Sequence, residues 1–96
     1  MLTIVTYDIS DNTSRSYYIK KLQSYGLYRI QKSVFAGHLT NDERLDLAEE
    51  SESFLSSGND SIIIFSLCKN CKDAILYCGE VYIPEDDLNY RFLWDS

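Results

Sequence analysis

Two uninterrupted apolar runs, residues 2–7 (LTIVTY) and 61–67 (SIIIFSL), constrain this chain more than any other feature. Both are rich in aliphatic and β-branched residues and contain no breaker, the pattern of a strand covered on both faces. Between them lie two stretches of helical periodicity. Residues 14–25 repeat Tyr18, Ile19, Leu22 and Tyr25 with lysines interspersed, an amphipathic stripe. The polar turn at residues 8–13 (DISDNT) precedes it, and Gly26 follows where a left-handed residue closes helices. Thr40-Asn41-Asp42-Glu43 has capping-box spacing. It predicts a second helix with Leu45, Ala48 and Leu55 on one stripe and Leu47 and Phe54 beside it, ending near Gly58-Asn59. Residues 27–35 (LYRIQKSVF) set Tyr28, Ile30 and Val34 against Arg29, Gln31 and Ser33, which predicts one half-exposed strand closed by Gly37.

Two central strands, one alternating strand and two crossover helices predict an α+β, ferredoxin-like β-α-β-β-α-β sandwich with both helices on one sheet face. Residues 68–73 read as a connector, 74–78 as a strand, and 81–83 as a short strand stopped by Pro84. Residues 1–83 therefore form the domain. Residues 84–96 form a C-terminal arm whose aromatic YRFLW segment is expected to add an extra strand to a partner's sheet. The second sheet face has no cover from this chain, so a homodimer through that face is expected.

Ninety-six residues leave room for one domain only. No apolar run reaches the roughly 18 to 20 residues of a membrane span, and no basic leader with a cleavage site opens the chain. A cytoplasmic location without membrane contact is the expectation. Cys68, Cys71 and Cys78 fit it as reduced structural thiols. A redox-sensitive pair is the alternative, and zinc lacks a fourth ligand nearby. The net charge of −6 divides unevenly: residues 1–44 hold six basic and four acidic side chains, residues 45–96 three and eleven. Phosphate contacts are thus expected from the first half, and tight non-specific nucleic-acid binding by the lone chain is not.

Asp8, directly after the first apolar run, is the acid of chemical interest. Taken alone it reads first as a structural turn carboxylate capping the first helix. One carboxylate is a poor site for Mg²⁺, which takes about six oxygens. Two copies of Asp8 across a two-fold axis, completed by phosphate oxygens, would make a shared one. Asp11 reads as a local cap.

Tyr7-Asp8-Ile9-Ser10-Asp11, then Arg15, Leu22, Tyr25-Gly26 and Arg29-Ile30-Gln31-Lys32-Ser33-Val34-Phe35 together resemble the small CRISPR-associated adaptation nuclease family, the Cas two family that partners the CRISPR integrase. The resemblance covers about residues 2–37. It implies a ferredoxin-like homodimer whose C-terminal strand joins the neighbouring subunit, with a divalent-metal site (Mg²⁺ or Mn²⁺) at the interface. It also implies metal-dependent endonuclease activity on RNA or DNA, and a place in the spacer-integration complex. The family's metal-binding, catalytic aspartate falls on Asp8. The implied mechanism is hydrolysis, the metal polarising a phosphodiester and lowering the pKa of the attacking water.

Arg15 and Arg29 are the candidate phosphate clamps, since a planar guanidinium matches two oxygens; ordinary surface arginine is the alternative. Ser33 is a candidate nucleic-acid contact or simply a polar strand residue. Phe35 reads as core or as a stacking platform, and Tyr7 braces the site or packs. His38 reads as an exposed bystander in a Gly-His turn. Family members often carry further basic residues early in the first helix, where this chain has Ser16, Tyr17 and Tyr18. Two other functions stay open: a non-catalytic dimeric scaffold bridging integrase subunits and binding spacer DNA, and a ferredoxin-like regulatory domain for a small metabolite.

Overall fold

The computed structural model describes residues 1–67. Strand β1 (Leu2–Asp8) leads through a short loop to helix α1 (Asn12–Ser24). Strands β2 (Tyr28–Gln31) and β3 (Val34–His38) follow, then helix α2 (Asn41–Ser51), a 3₁₀ turn (Glu52–Phe54) and strand β4 (Ser61–Leu67). The sheet order is β2-β3-β1-β4, and all three pairings are antiparallel. With this β-α-β-β-α-β order, that is the expected ferredoxin-like arrangement. The connector, the later strands, the arm and the three cysteines anticipated after residue 67 lie outside the described residues.

Local chemistry sets the element boundaries. Asp11 caps α1, its Oδ2 accepting from Ser14 N at 2.8 Å. Thr40 and Glu43 complete the capping box of α2: Glu43 N donates to Thr40 Oγ1 and Thr40 N to Glu43 Oε1. Gly26 takes φ +83° after α1, a conformation that disfavours a side chain. The chain can then reverse into β2.

Several expectations need correction. Residues 27–35 are not one strand, because Lys32 and Ser33 form a two-residue turn between β2 and β3. The cause is a convergence on one carbonyl: Lys32 O accepts from Tyr7 Oη, Arg29 Nε and Arg29 Nη2 at 2.9–3.2 Å. Gly37 does not close a strand but sits within β3, where an added Cβ would lie 2.8 Å from Leu27 Cδ2 and 3.2 Å from Gly26 O. Gly37→Ala is expected to destabilise the fold by about 1–3 kcal/mol, read as a lower urea midpoint with unchanged m value. Finally, the anticipated Leu45–Leu55 stripe of α2 faces outward, with those leucines 54% and 40% exposed. Leu47 and Ser51 are buried instead. The helix stops at Ser51, and the tighter 3₁₀ turn rotates Phe54 onto the Tyr18 ring and Leu55 away.

The helices cover one sheet face. Val5, Tyr7 and Phe35 from the sheet meet Tyr18, Leu22, Leu27, Leu39 and Leu47, with Ile62 and Ile64 packed beside them. Tyr18 is fully buried, and its hydroxyl meets Ser51 Oγ at 2.9 Å. Burial pushes its pKa up to about 12. Alternation sends the other residues of the strands to the opposite face. The register sets Ile4 beside Phe65 and Thr6 between Val34 and Ile63. Ile63 is 57% and Phe65 41% exposed. Strand β4, expected to be covered on both faces, presents these two side chains outward, because both helices pack on the other side.

Candidate functional site

Antiparallel register gathers the residues singled out from sequence at one end of the sheet. Thr6 pairs with Val34, Tyr7 N donates to Ser33 O at 3.1 Å, and Asp8 pairs with Ser61. The end of β1, the β2–β3 turn and the loop into α1 therefore meet. Asp8 is exposed and follows the parity of Ile4 and Thr6, so it belongs to the sheet face opposite the helices. Among the described residues its carboxylate has no hydrogen-bond or ion-pair partner. It does not cap α1; Asp11 does.

Tyr7 points to the helix side and is 5% exposed. Its ring meets Tyr18 edge-on at 5.6 Å and Phe35 at 6.1 Å, contacts each worth about 0.5–1.5 kcal/mol beyond burial. Phe35 is fully buried; it is core, with the Arg29 guanidinium carbon 5.7 Å from its ring centroid. Arg29 is exposed, but Nε and Nη2 are engaged by Lys32 O, and Nη2 also reaches Tyr7 Oη at 3.4 Å. Arg15 Nη1 donates to Ile9 O at 3.0 Å, and Nη2 reaches Asn12 Oδ1. Ser33 is half-buried in the turn rather than on a strand face. Asp8 and Arg29 thus lie at one end but on opposite sheet faces. His38 is exposed at the end of β3, not in a turn.

Sequence reasoning missed Asp60. Its Oδ1 accepts from Ser10 N, Ser10 Oγ and Ser57 Oγ, and its Oδ2 from Ser56 N, Ser56 Oγ and Ser57 N, all within 2.9–3.3 Å. This carboxylate ties the loop after Asp8 to the loop before β4. The signal was present: Ser56-Ser57-Gly58-Asn59-Asp60 is rich in residues that bond nearby backbone. The Ser56 and Ser10 amides hold its pKa well below the usual carboxylate range. The folded-state pKa is depressed, so the stabilisation is present above the unfolded value near 3.8 and lost as pH falls through the folded one. Urea midpoints measured from pH 5 down to pH 2 should fall, and Asp60→Asn should flatten part of that decline.

The donor set can be tested against a divalent cation. No group of three or more His, Cys, Asp or Glu side chains converges among the described residues, so a single copy falls short of an oxygen-rich shell. Asp8 itself suits one, being a hard oxygen ligand, exposed and uncommitted. Two such carboxylates with phosphate oxygens would suffice. Among the described residues no helix is long and apolar enough to cross a membrane.

Known proteins share this fold. The family model for CRISPR associated protein Cas2 matches residues 1–75. A protein of Archaeoglobus fulgidus named CRISPR-associated endoribonuclease Cas2 1 is 40% identical over 76 residues, 79% of this chain and 81% of that one. A CRISPR-associated endonuclease Cas1/endonuclease Cas2 fusion from Thermoproteus tenax is 37% identical over 76 residues, 79% of this chain and 29% of the fusion. The crystal structure of Streptococcus pyogenes Cas2 superposes with a TM-score of 0.69 at 27% identity, covering 82% of this chain and 100% of that one. The matched span contains the exposed Asp8 at the end of β1 and the whole described sheet, and the chain belongs to the CRISPR-associated protein Cas2 family.

Proposed function

We propose that this chain is a homodimeric, divalent-metal-dependent endonuclease that hydrolyses phosphodiester bonds in RNA or DNA and works beside a Cas1-type integrase in CRISPR spacer acquisition. The observation that carries this reading is an uncommitted Asp8 carboxylate bordering a sheet face whose apolar side chains stand exposed. Water is a poor neighbour for Ile63 and Phe65. Stacking two such faces about a two-fold axis buries them and brings the two Asp8 carboxylates toward each other. The names of the Archaeoglobus and Thermoproteus relatives support nuclease chemistry, and the fusion supports an association with Cas1.

Mg²⁺ or Mn²⁺, when bound, supplies the positive charge that polarises the phosphodiester and acidifies water. The chain's own part is positional. The two Asp8 side chains would hold the ion. Arg15, and the Nη1 corner of Arg29 left over from the β2–β3 turn, offer donors to phosphate oxygens, as does the Ser33 hydroxyl in that turn. Tyr7 and Phe35 keep that edge rigid from beneath.

A dimeric scaffold that bridges integrase subunits and binds spacer DNA is the second reading. The acidic excess of residues 45–96 favours it, since a sequence so rich in carboxylates suits a basic protein more than free nucleic acid. Incubating the purified chain with end-labelled single-stranded RNA and double-stranded DNA separates the two. Cleavage is expected with Mg²⁺ or Mn²⁺ and should stop on adding EDTA. No cleavage of either substrate, or cleavage indifferent to EDTA, sinks the metal-dependent nuclease and leaves the scaffold.

A further inference from the structure

We infer that Lys32 binds a backbone phosphate of the nucleic-acid strand beside Asp8, and that Tyr7 and Arg29 act on its main chain to hold it there. The inference rests on the nucleic-acid reading above and adds a residue to it. Six basic side chains lie among the described residues, and five of them already contact another group of the chain. Arg15 donates to Ile9 O and Asn12, and Arg44 to Asn41 Oδ1. Lys21 pairs with Glu50 at 3.3 Å, and Lys20 lies over the Tyr17 ring. Arg29 has two of its three nitrogens on Lys32 O. The Lys32 ammonium is exposed and has no partner among the described residues.

Its backbone is the opposite case. One carbonyl oxygen accepts from Tyr7 Oη at 3.2 Å, Arg29 Nε at 3.2 Å and Arg29 Nη2 at 2.9 Å. Tyr7 is fixed in turn by the Tyr18 and Phe35 rings. The next residue, Ser33, accepts from Tyr7 N through its main-chain oxygen, which seats the turn against the residue preceding Asp8. A turn so tightly held, carrying a flexible and unpaired cation at its tip, suits capture of a phosphate as a point charge. Arg29 is a positioning residue in this scheme, acting through the Lys32 carbonyl.

The test is fluorescence anisotropy of the full chain with a fluorescein-labelled single-stranded RNA, in EDTA and across a sodium chloride series. Each neutralised phosphate adds roughly −0.7 to the slope of log K against log salt for a single strand. Lys32→Ala should weaken binding several-fold and make that slope shallower by roughly 0.7 for each phosphate that Lys32 neutralises. Lys32→Arg should restore both. Arg29→Lys, which removes the fork but keeps the charge, should weaken binding more while Lys32 is present than in the Lys32→Ala background. Salt-dependent wild-type binding with an unchanged slope in Lys32→Ala overturns the inference alone. A wild type that does not bind overturns it together with the nucleic-acid reading. Binding that depends on Lys32 in a protein that cleaves nothing under any metal keeps the inference and removes only the catalysis.

Discussion

Asp8→Asn is expected to lower metal-dependent cleavage at least about a hundredfold, equivalent to about 2.7 kcal/mol of barrier, while leaving thermal stability nearly untouched. The two halves of that result come from one observation. Asp8 is exposed and makes no hydrogen bond or ion pair among the described residues, so that part of the fold loses no interaction when its charge is removed. Surface changes of that kind usually fall within about ±0.5 kcal/mol. A divalent ion held by Asp8 would, by contrast, lose that carboxylate's charge from each subunit. An equal fall in melting temperature and activity would show that Asp8 is a structural residue. Unchanged cleavage would remove it from the chemistry.

The second large effect concerns assembly. Ile63→Glu should convert the proposed dimer to a monomer at micromolar concentration, read by size-exclusion chromatography with light scattering. Ile63 pairs with Thr6 on the face opposite the helices and is 57% exposed in the single chain. The variant chain therefore tolerates the carboxylate at little cost. In the stacked dimer the same carboxylate would be desolvated without a partner, a penalty of several kcal/mol per ion. Phe65→Glu, paired with Ile4, should act alike. A variant that stays dimeric would place the interface elsewhere and part the two Asp8 carboxylates.

How much of this was written in the sequence depends on whether a feature is local. The capping box at Thr40 and Glu43, the Asp11 cap and the left-handed Gly26 are short-range chemistry, and each was readable in advance. The apolar runs gave β1 and β4, and the repeat of Tyr18 and Leu22 gave the buried side of α1. The β2–β3 turn was not readable, because it depends on Tyr7 reaching across from β1 to Lys32 O. No glycine marks it. The buried side of α2 was misjudged for a related reason, since both leucine stripes fit a helical period and only packing against Tyr18 and the 3₁₀ turn selects Leu47. At the candidate site, Asp8 stood out by its place after a strand. Asp60 did not, because its meaning lies in reaching Ser10 fifty residues away.

The most direct measurement is the stoichiometry of Mn²⁺ binding to the purified protein, followed by electron paramagnetic resonance or calorimetry beside Asp8→Asn. A site shared by two Asp8 carboxylates predicts one ion per two chains, with loss of that ion in the variant and retention of the dimer. One ion per chain, or the same binding in Asp8→Asn, would contradict it.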